Sequence, residues 1–413
     1  MSDIPVPQNT TRRLGKTELT AMIAFMFAII ALSIDAMLPA LPNIAAELSP
    51  DDANKAQLVL TVFLFGMGIG LFFAGPISDA IGRRPVIIAG ALLYAGASFM
   101  AVMSSTLEVL LFSRFIMGIC AAGPRIVSLA AVRDLYKGRE MAQLMSYAIM
   151  IFTLVPAVAP ALGAAILTVS GWRTIFAVFI VFALVVAIWV SLRLPETHAA
   201  EHRRPLRISS LLAATKELFT HPVARTSILI QALAMGMLFS MLTSIQQIYG
   251  EIFDRAATFP YWFALVALVS GLGSILNAKL VPRFGMRAIV VFGLWGQCAF
   301  SFVMLALSLS LPSDQIPFAF FVIWQCSIFL MIAAAMGNLN AMAMEPVGHI
   351  AGLAASVIAA ISTVLGVLFA TPVGQMFDGT LRPMATGVFM MACIAALIMR
   401  SLTQRETQAT AAE

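Results

Sequence analysis

Twelve long apolar runs, separated by short polar breaks, constrain this chain more than any other feature of its sequence. They fall near residues 20–40, 56–76, 86–104, 107–130, 141–168, 172–193, 222–249, 259–281, 286–310, 315–339, 350–372 and 384–400. A helix needs about 20 apolar residues to cross the hydrocarbon core of a bilayer. Within lipid the backbone must satisfy its own hydrogen bonds, so only helices and closed barrels cross it. The runs are far longer than the ~10-residue segments of barrel strands. The expected fold is an all-α membrane protein with twelve transmembrane helices. Only 11% of the residues are charged, against about 25% in soluble domains, which excludes a soluble enzyme, a disordered chain and a secreted disulfide scaffold. Met1 to Thr20 is polar and shows no cleavage pattern, so the first run is expected to be a retained helix.

The net charge of +5 would suggest acidic partners for a soluble protein. Here the Lys and Arg residues gather at the ends of runs on one side. That side carries Arg12, Arg13, Lys16, Arg83, Arg84, Arg133, Lys137, Arg139, Arg193, Arg203, Arg204, Arg207, Lys216, Arg225, Lys279, Arg283, Arg287, Arg400 and Arg405. The opposite side has only Lys55, Arg173, Arg255 and Arg382. Such a bias orients membrane proteins with the basic face in the cytoplasm. Both termini are therefore expected there, and nucleic acid is not an expected partner.

The two halves look related. Gly82 and Arg84 follow the second run, and Gly285 and Arg287 follow the eighth at the same offset, which Gly90 and Gly293 share. The expected organisation is residues 1–194 as one six-helix bundle, 195–221 as a linker, and 222–413 as a second bundle. Substrate sites in such repeats lie at the midplane between halves. In the linker, Arg203, Arg204 and Arg207 precede Ile208, Leu211, Leu212, Leu218 and Phe219 at helical spacing. That pattern reads as a basic amphipathic helix on the membrane surface.

Buried charges are few. Asp35 is the acidic residue lying well inside an apolar helix, and such residues face a cavity or a partner. A carboxylate poised between an apolar wall and a nearby guanidinium can take up and release a proton, as proton coupling requires; the alternative is a permanent ion pair fixing the packing. Arg114 and Arg125 share one face of the fourth run, about 16 Å apart by helical rise. Arg114 should lie at the depth of Asp35, close enough to interact. One carboxylate facing two arginines favours neutral, zwitterionic or anionic substrates over dications. Tyr249, Asn277, Gln325 and Asn338 are candidates for lining the cavity. Gly66 and Gly70, and Ala355, Ala359 and Thr363, form small-residue faces that serve packing or sliding. Cys120, Cys298, Cys326 and Cys393 have no metal-binding spacing, and no phosphate-binding loop or cofactor motif is present, so protons would be the only coupling agent.

The most distinctive local pattern joins the second and third runs on the basic face: Gly75, Asp79, Gly82, Arg83 and Arg84. A glycine permits the reversal, and the charges can reach helix ends. This spacing resembles the loop signature of the major facilitator superfamily, and the resemblance extends over essentially the whole chain. Asp35 to Ala45, with Pro39 and Pro42, is similar to the first-helix signature of twelve-span drug:proton antiporters related to bicyclomycin and chloramphenicol exporters. Arg114 to Gly118 resembles their fourth-helix motif, with Met117 in place of the usual Gln. Gly171-Trp172-Arg173 and Leu194-Pro195-Glu196-Thr197 also match.

The resemblance implies two six-helix bundles with pseudo-twofold symmetry that rock about a central cavity. It implies a gate latch at Asp79, Arg83 and Arg84, and proton coupling through Asp35 and Arg114. It implies a bend in the fifth helix at Pro156, Pro160 and Gly163, although Ala159 and Ala164 replace glycines of the antiporter pattern there. The implied activity is proton-driven export of small amphipathic compounds, neutral or zwitterionic, by a monomer. A proton-linked transporter of one metabolite and a non-transporting membrane sensor stay open as alternatives.

Overall fold

A computed structural model describes residues 15–203 and 206–412. Arg12, Arg13 and Arg204 of the basic face lie outside the described residues, as does the side chain of Arg405. The described chain is helical throughout its apolar runs. The first half comprises α1 (Lys16–Asp35), α2 (Leu41–Leu48), α3 (Leu58–Ile81), α4 (Arg83–Val102), α5 (Leu107–Leu135), α6 (Gly138–Val169) and α7 (Arg173–Arg193). The linker helix α8 (Ile208–Thr220) leads to α9 (Pro222–Gln247), α10 (Phe259–Ser310), α11 (Phe318–Met344), α12 (Ala351–Gln375) and α13 (Arg382–Ala412).

Among the described residues, nine helical stretches are long and apolar enough to cross a membrane. Two of them, Ala256–Ser310 and Phe318–Gln375, each contain two spans, joined by turns at Gly285 and at Glu345–Ile350. With α6 they make twelve spans, arranged as two six-helix bundles. The first span is α1 and α2 together.

The sequence explains the breaks. Pro39 has no N–H to give the carbonyl of Asp35 four residues back. Accordingly α1 ends at Asp35, a short 3-10 turn covers Leu38–Ala40, and α2 begins with Pro42 in its first turn. Gly82 (φ 109°, ψ 160°) and Gly285 (φ 78°, ψ 160°) turn the chain between spans two and three and between spans eight and nine. Both lie in a region of backbone space open essentially to glycine alone. The expected repeat pair thus has the same conformation in both halves.

Within the first bundle α3 packs on α5, α4 on α5 and α7, and α1 on α6; within the second, α9 packs on α12 and α13, and α10 on α11 and α13. Gly66, Gly70 and Gly118 bring α3 and α5 into backbone contact. A Cβ on each would strike the carbonyl oxygens of Phe115, Ile119 and Phe63 respectively. Gly66 and Gly70 are therefore packing residues inside one bundle, not a sliding surface. The bundles meet along two seams, α3 against α12 and α6 against α10. Spans two and eleven form the first, spans eight and five the second. The half-chain repeat exchanges these pairs, so the interface is one contact used twice.

Candidate functional site

Three polar clusters stand out: two tie helices of the first half together, and one joins the two halves. The deepest surrounds the break in the first span. Arg114 of α5 is fully buried. Its Nε donates to the carbonyl of Val59 at 3.0 Å and its Nη2 to the carbonyl of Ser33 at 2.8 Å. Its guanidinium lies 4.3 Å from the centroid of the Phe63 ring. Ser33 sits in the last turn of α1, where the break leaves carbonyls without helical donors, so a cation there caps the helix end. The Ser33 hydroxyl also bonds the carbonyl of Ile29 and the hydroxyl of Tyr94 on α4, both at 2.5 Å. One guanidinium thus ties α1, α3 and α5 together, and Tyr94 adds α4.

Asp35 ends α1 two residues beyond Ser33 and is only 5% exposed. The expected Asp35–Arg114 interaction is not formed: Arg114 is occupied by backbone carbonyls, and no ion pair reaches Asp35 among the described residues. The two residues share a depth, but the side chains point to different neighbours. Arg114 keeps Nη1 without an acceptor. Gly163 of α6 packs against the carbonyl oxygen of Ala36, next to Asp35, where a Cβ would not fit. Pro156 and Pro160 lie within the same continuous helix. Arg125 is half-buried beside Pro124, and its carbonyl accepts a bond from Ser128 at 2.9 Å.

The second cluster is the 75–84 loop on the basic face. Arg83, 8% exposed, donates through Nη1 to Asp79 and Ser78, both at 2.5 Å, and through Nε to Asp134 at 3.3 Å. Glu196 accepts from the backbone N–H groups of Arg83 at 2.9 Å and Arg84 at 3.2 Å. A carboxylate at the first turn of α4 satisfies orphan donors and the positive end of the helix dipole. Arg84 binds the carbonyl of Ser191, and Thr197 binds Asp134 at 3.1 Å. These bonds stay within the first bundle and the start of the linker, at Glu196 and Thr197. Gly75 faces the other bundle: a Cβ there would lie 3.0 Å from Ser356 Oγ on α12.

The third cluster closes the opposite face, and nothing in the sequence singled it out. Asn54, in the turn before α3, donates to the carbonyls of Gln375 at 3.2 Å and Phe377 at 2.7 Å. Gln375 returns a bond to the carbonyl of Asn54 at 2.9 Å, and Gln247 donates to the Asn54 side chain at 3.1 Å. Gln57 donates to Gln247 as well. These uncharged amides clasp the first bundle to the second. Their only sequence signal is position: each sits at a run end on the face poor in charge.

The candidate cavity residues of the second half are paired inside it. Tyr249 donates to Gln325 at 2.9 Å, and both are fully enclosed, with Tyr249 edge-on to Phe259, Phe318 and Phe321. Lining an open cavity is not their role in this conformation. Asn338 donates to Asn277 at 2.8 Å, joining α11 to α10.

Comparisons with known proteins follow the same lines. The family model described as Major Facilitator Superfamily matches residues 23–371. An uncharacterised MFS-type transporter of Bacillus subtilis (strain 168), YdgK, is 31% identical over 400 residues, covering 94% of this chain and 97% of its own. A bicyclomycin resistance protein homolog of Haemophilus influenzae is 28% identical over 375 residues, covering 90% and 92%. The crystal structure of a D-xylose-proton symporter matches with a TM-score of 0.74 at 15% identity, over 92% of this chain and 96% of that one, a likeness of fold.

Proposed function

Because this chain belongs to the major facilitator superfamily, and so is a multi-pass membrane transporter of small molecules rather than an enzyme, we propose that it exports small amphipathic compounds, antimicrobials among them, in exchange for protons. The observation that carries the coupling is Asp35, an enclosed carboxylate at the break of the first span, without an ion-pair partner among the described residues. The relative with a bicyclomycin-resistance name supports the substrate class.

In this reading Asp35 carries the proton. Arg114 holds the end of α1 through Ser33, and its free Nη1 is the donor that an ionised Asp35 would recruit in another state of the cycle. Protonation and release would then move the end of α1 relative to α5. Arg125 adds positive charge deeper on the same face, which disfavours dications and suits neutral or zwitterionic substrates. One carboxylate implies one proton per cycle. The amide clasp and the 75–84 loop gate opposite faces. The basic face lies in the cytoplasm of a bacterial inner membrane, and the transporter works as a monomer.

The test is growth of an efflux-deficient bacterial host across a panel of antimicrobials, with Asp35→Asn at matched membrane expression. Resistance to several unrelated compounds, lost in Asp35→Asn, is expected. Resistance that survives the substitution removes Asp35 from the mechanism. The alanines at 159 and 164, where antiporters of this branch carry glycine, weaken the case for export over import, and a dedicated proton-linked metabolite transporter is the competing reading. Resistance to none of the panel would select it.

A further inference from the structure

The linker helix α8 has two apolar faces, and only one is covered. Leu211, Ala214 and Leu218 are buried, and Leu211 and Leu218 form a cluster with Ala224 and Ile228 of α9, Ala343 of α11 and Val357 of α12. Ile208, Leu212 and Phe219 are 60%, 61% and 36% exposed. At about 100° per residue, these three fall within about 40° of one another and about 100° from the centre of the buried face. Ser209 and Ala213 occupy the third side of the helix. A single amphipathic stripe would need one apolar neighbour; this helix carries a second apolar stripe that the protein leaves exposed.

We propose that the Ile208–Leu212–Phe219 stripe lies in the headgroup region of the bilayer, and that Arg207, Lys216 and Arg225 hold it there by binding anionic lipid. Position and charge argue for this occupant. His221 alone separates α8 from the seventh span, so the helix sits at membrane level. Lys216 borders the stripe at about 40° from its edge. Arg207 and Arg225 flank the two ends of the helix, and all three are exposed with no carboxylate partner among the described residues. The acidic residue of the helix, Glu217, is turned away and pairs with His349 at 3.1 Å, on the turn between α11 and α12. Basic residues beside a bilayer attract anionic headgroups strongly enough for a few of them to anchor a surface helix. Through Glu217–His349 and the buried face, the lipid-bound helix is fixed to the second bundle and is carried with it.

The full-length protein is labelled with an environment-sensitive fluorophore at Leu212→Cys, Ile208→Cys or Ala213→Cys, with the unsubstituted protein as labelling blank. Each is reconstituted in phosphatidylcholine vesicles containing shallow spin-labelled lipid, with and without phosphatidylglycerol. The expected result is several-fold stronger quenching at 208 and 212 than at 213, increasing with phosphatidylglycerol. Arg207→Gln, Lys216→Gln and Arg225→Gln together should abolish that increase. Equal quenching at all three sites would overturn the membrane contact. Quenching indifferent to phosphatidylglycerol would overturn the anionic partner. Shielding of 212 in detergent that grows with protein concentration would overturn the proposal in favour of a second copy of the chain.

Discussion

Arg114 is a residue whose shape matters as much as its charge. Two of its nitrogens reach carbonyls on different helices, 3.0 Å and 2.8 Å away, while the plane rests near Phe63. A lysine keeps the charge but presents a point, not a fork. Arg114→Lys should therefore leave one buried carbonyl without a donor, at a cost of about 1–3 kcal/mol. The expected outcome is a lower melting temperature of the purified protein and loss of transport. Wild-type melting and transport in Arg114→Lys would mean that charge alone suffices. Asp35 and Arg114 were legible because a charge inside an apolar run is conspicuous. Their separation was not. Counting residues from the ends of two helices gives height in the membrane but not rotation about each axis. Nor does counting reveal that a helix break offers carbonyls for an arginine to cap. Ser33 and Tyr94 were missed for a related reason: a hydroxyl in an apolar run is common, and only the neighbouring helices show what it bonds.

Helix ends were the most legible elements, because the residues that stop helices are explicit in the sequence. Gly82 and Gly285 mark equivalent turns with nearly the same dihedrals, yet they differ in surroundings. A Cβ at 82 would lie 2.5 Å from Glu196 Oε2, whereas a Cβ at 285 meets nothing within 4 Å. Both substitutions to alanine incur a backbone penalty of about 1–3 kcal/mol. Gly82→Ala must also displace the carboxylate that caps α4. Gly82→Ala should lower the melting temperature more than Gly285→Ala, and Glu196→Gln should reproduce part of the excess. Equal effects at the two glycines would show that the Glu196 cap contributes nothing. The break after Asp35 was less legible. Pro39 and Pro42 were visible at the end of the first apolar run, but hydropathy alone draws one helix where the backbone makes two.

At the scale of the whole molecule, the half-chain repeat predicted the two-bundle plan but not which glycines meet across it. Gly66 and Gly70 face α5, while the neighbouring Gly68 faces α12. A Cβ on Gly68 would come within 2.7 Å of Val364 Cγ2 and 3.2 Å of the Val364 backbone nitrogen. Gly96 also lies mid-helix, with nothing within 4 Å. In an open helix position alanine gains about 1 kcal/mol over glycine. Gly96→Ala should thus be neutral or stabilising, and Gly68→Ala should weaken transport by forcing the seam apart; equal transport in the two variants would remove Gly68 from the seam's mechanics.

The opposite face poses the complementary question of whether the bundles must separate there. Its amide clasp consists of neutral hydrogen bonds worth about 0.5–1.5 kcal/mol each. Such a closure is strong enough to favour one state yet weak enough to be released by substrate or proton binding, whose coupling energies are typically about 1–3 kcal/mol. Covalent closure removes that balance. Asn54→Cys with Gln375→Cys, joined by a short thiol-reactive linker, should abolish transport, and a cleavable linker should restore it on reduction. Each single variant should transport after the same treatment. Undiminished transport by the joined double variant would place the moving gate elsewhere and leave the clasp as a fixed hinge about which the basic face opens.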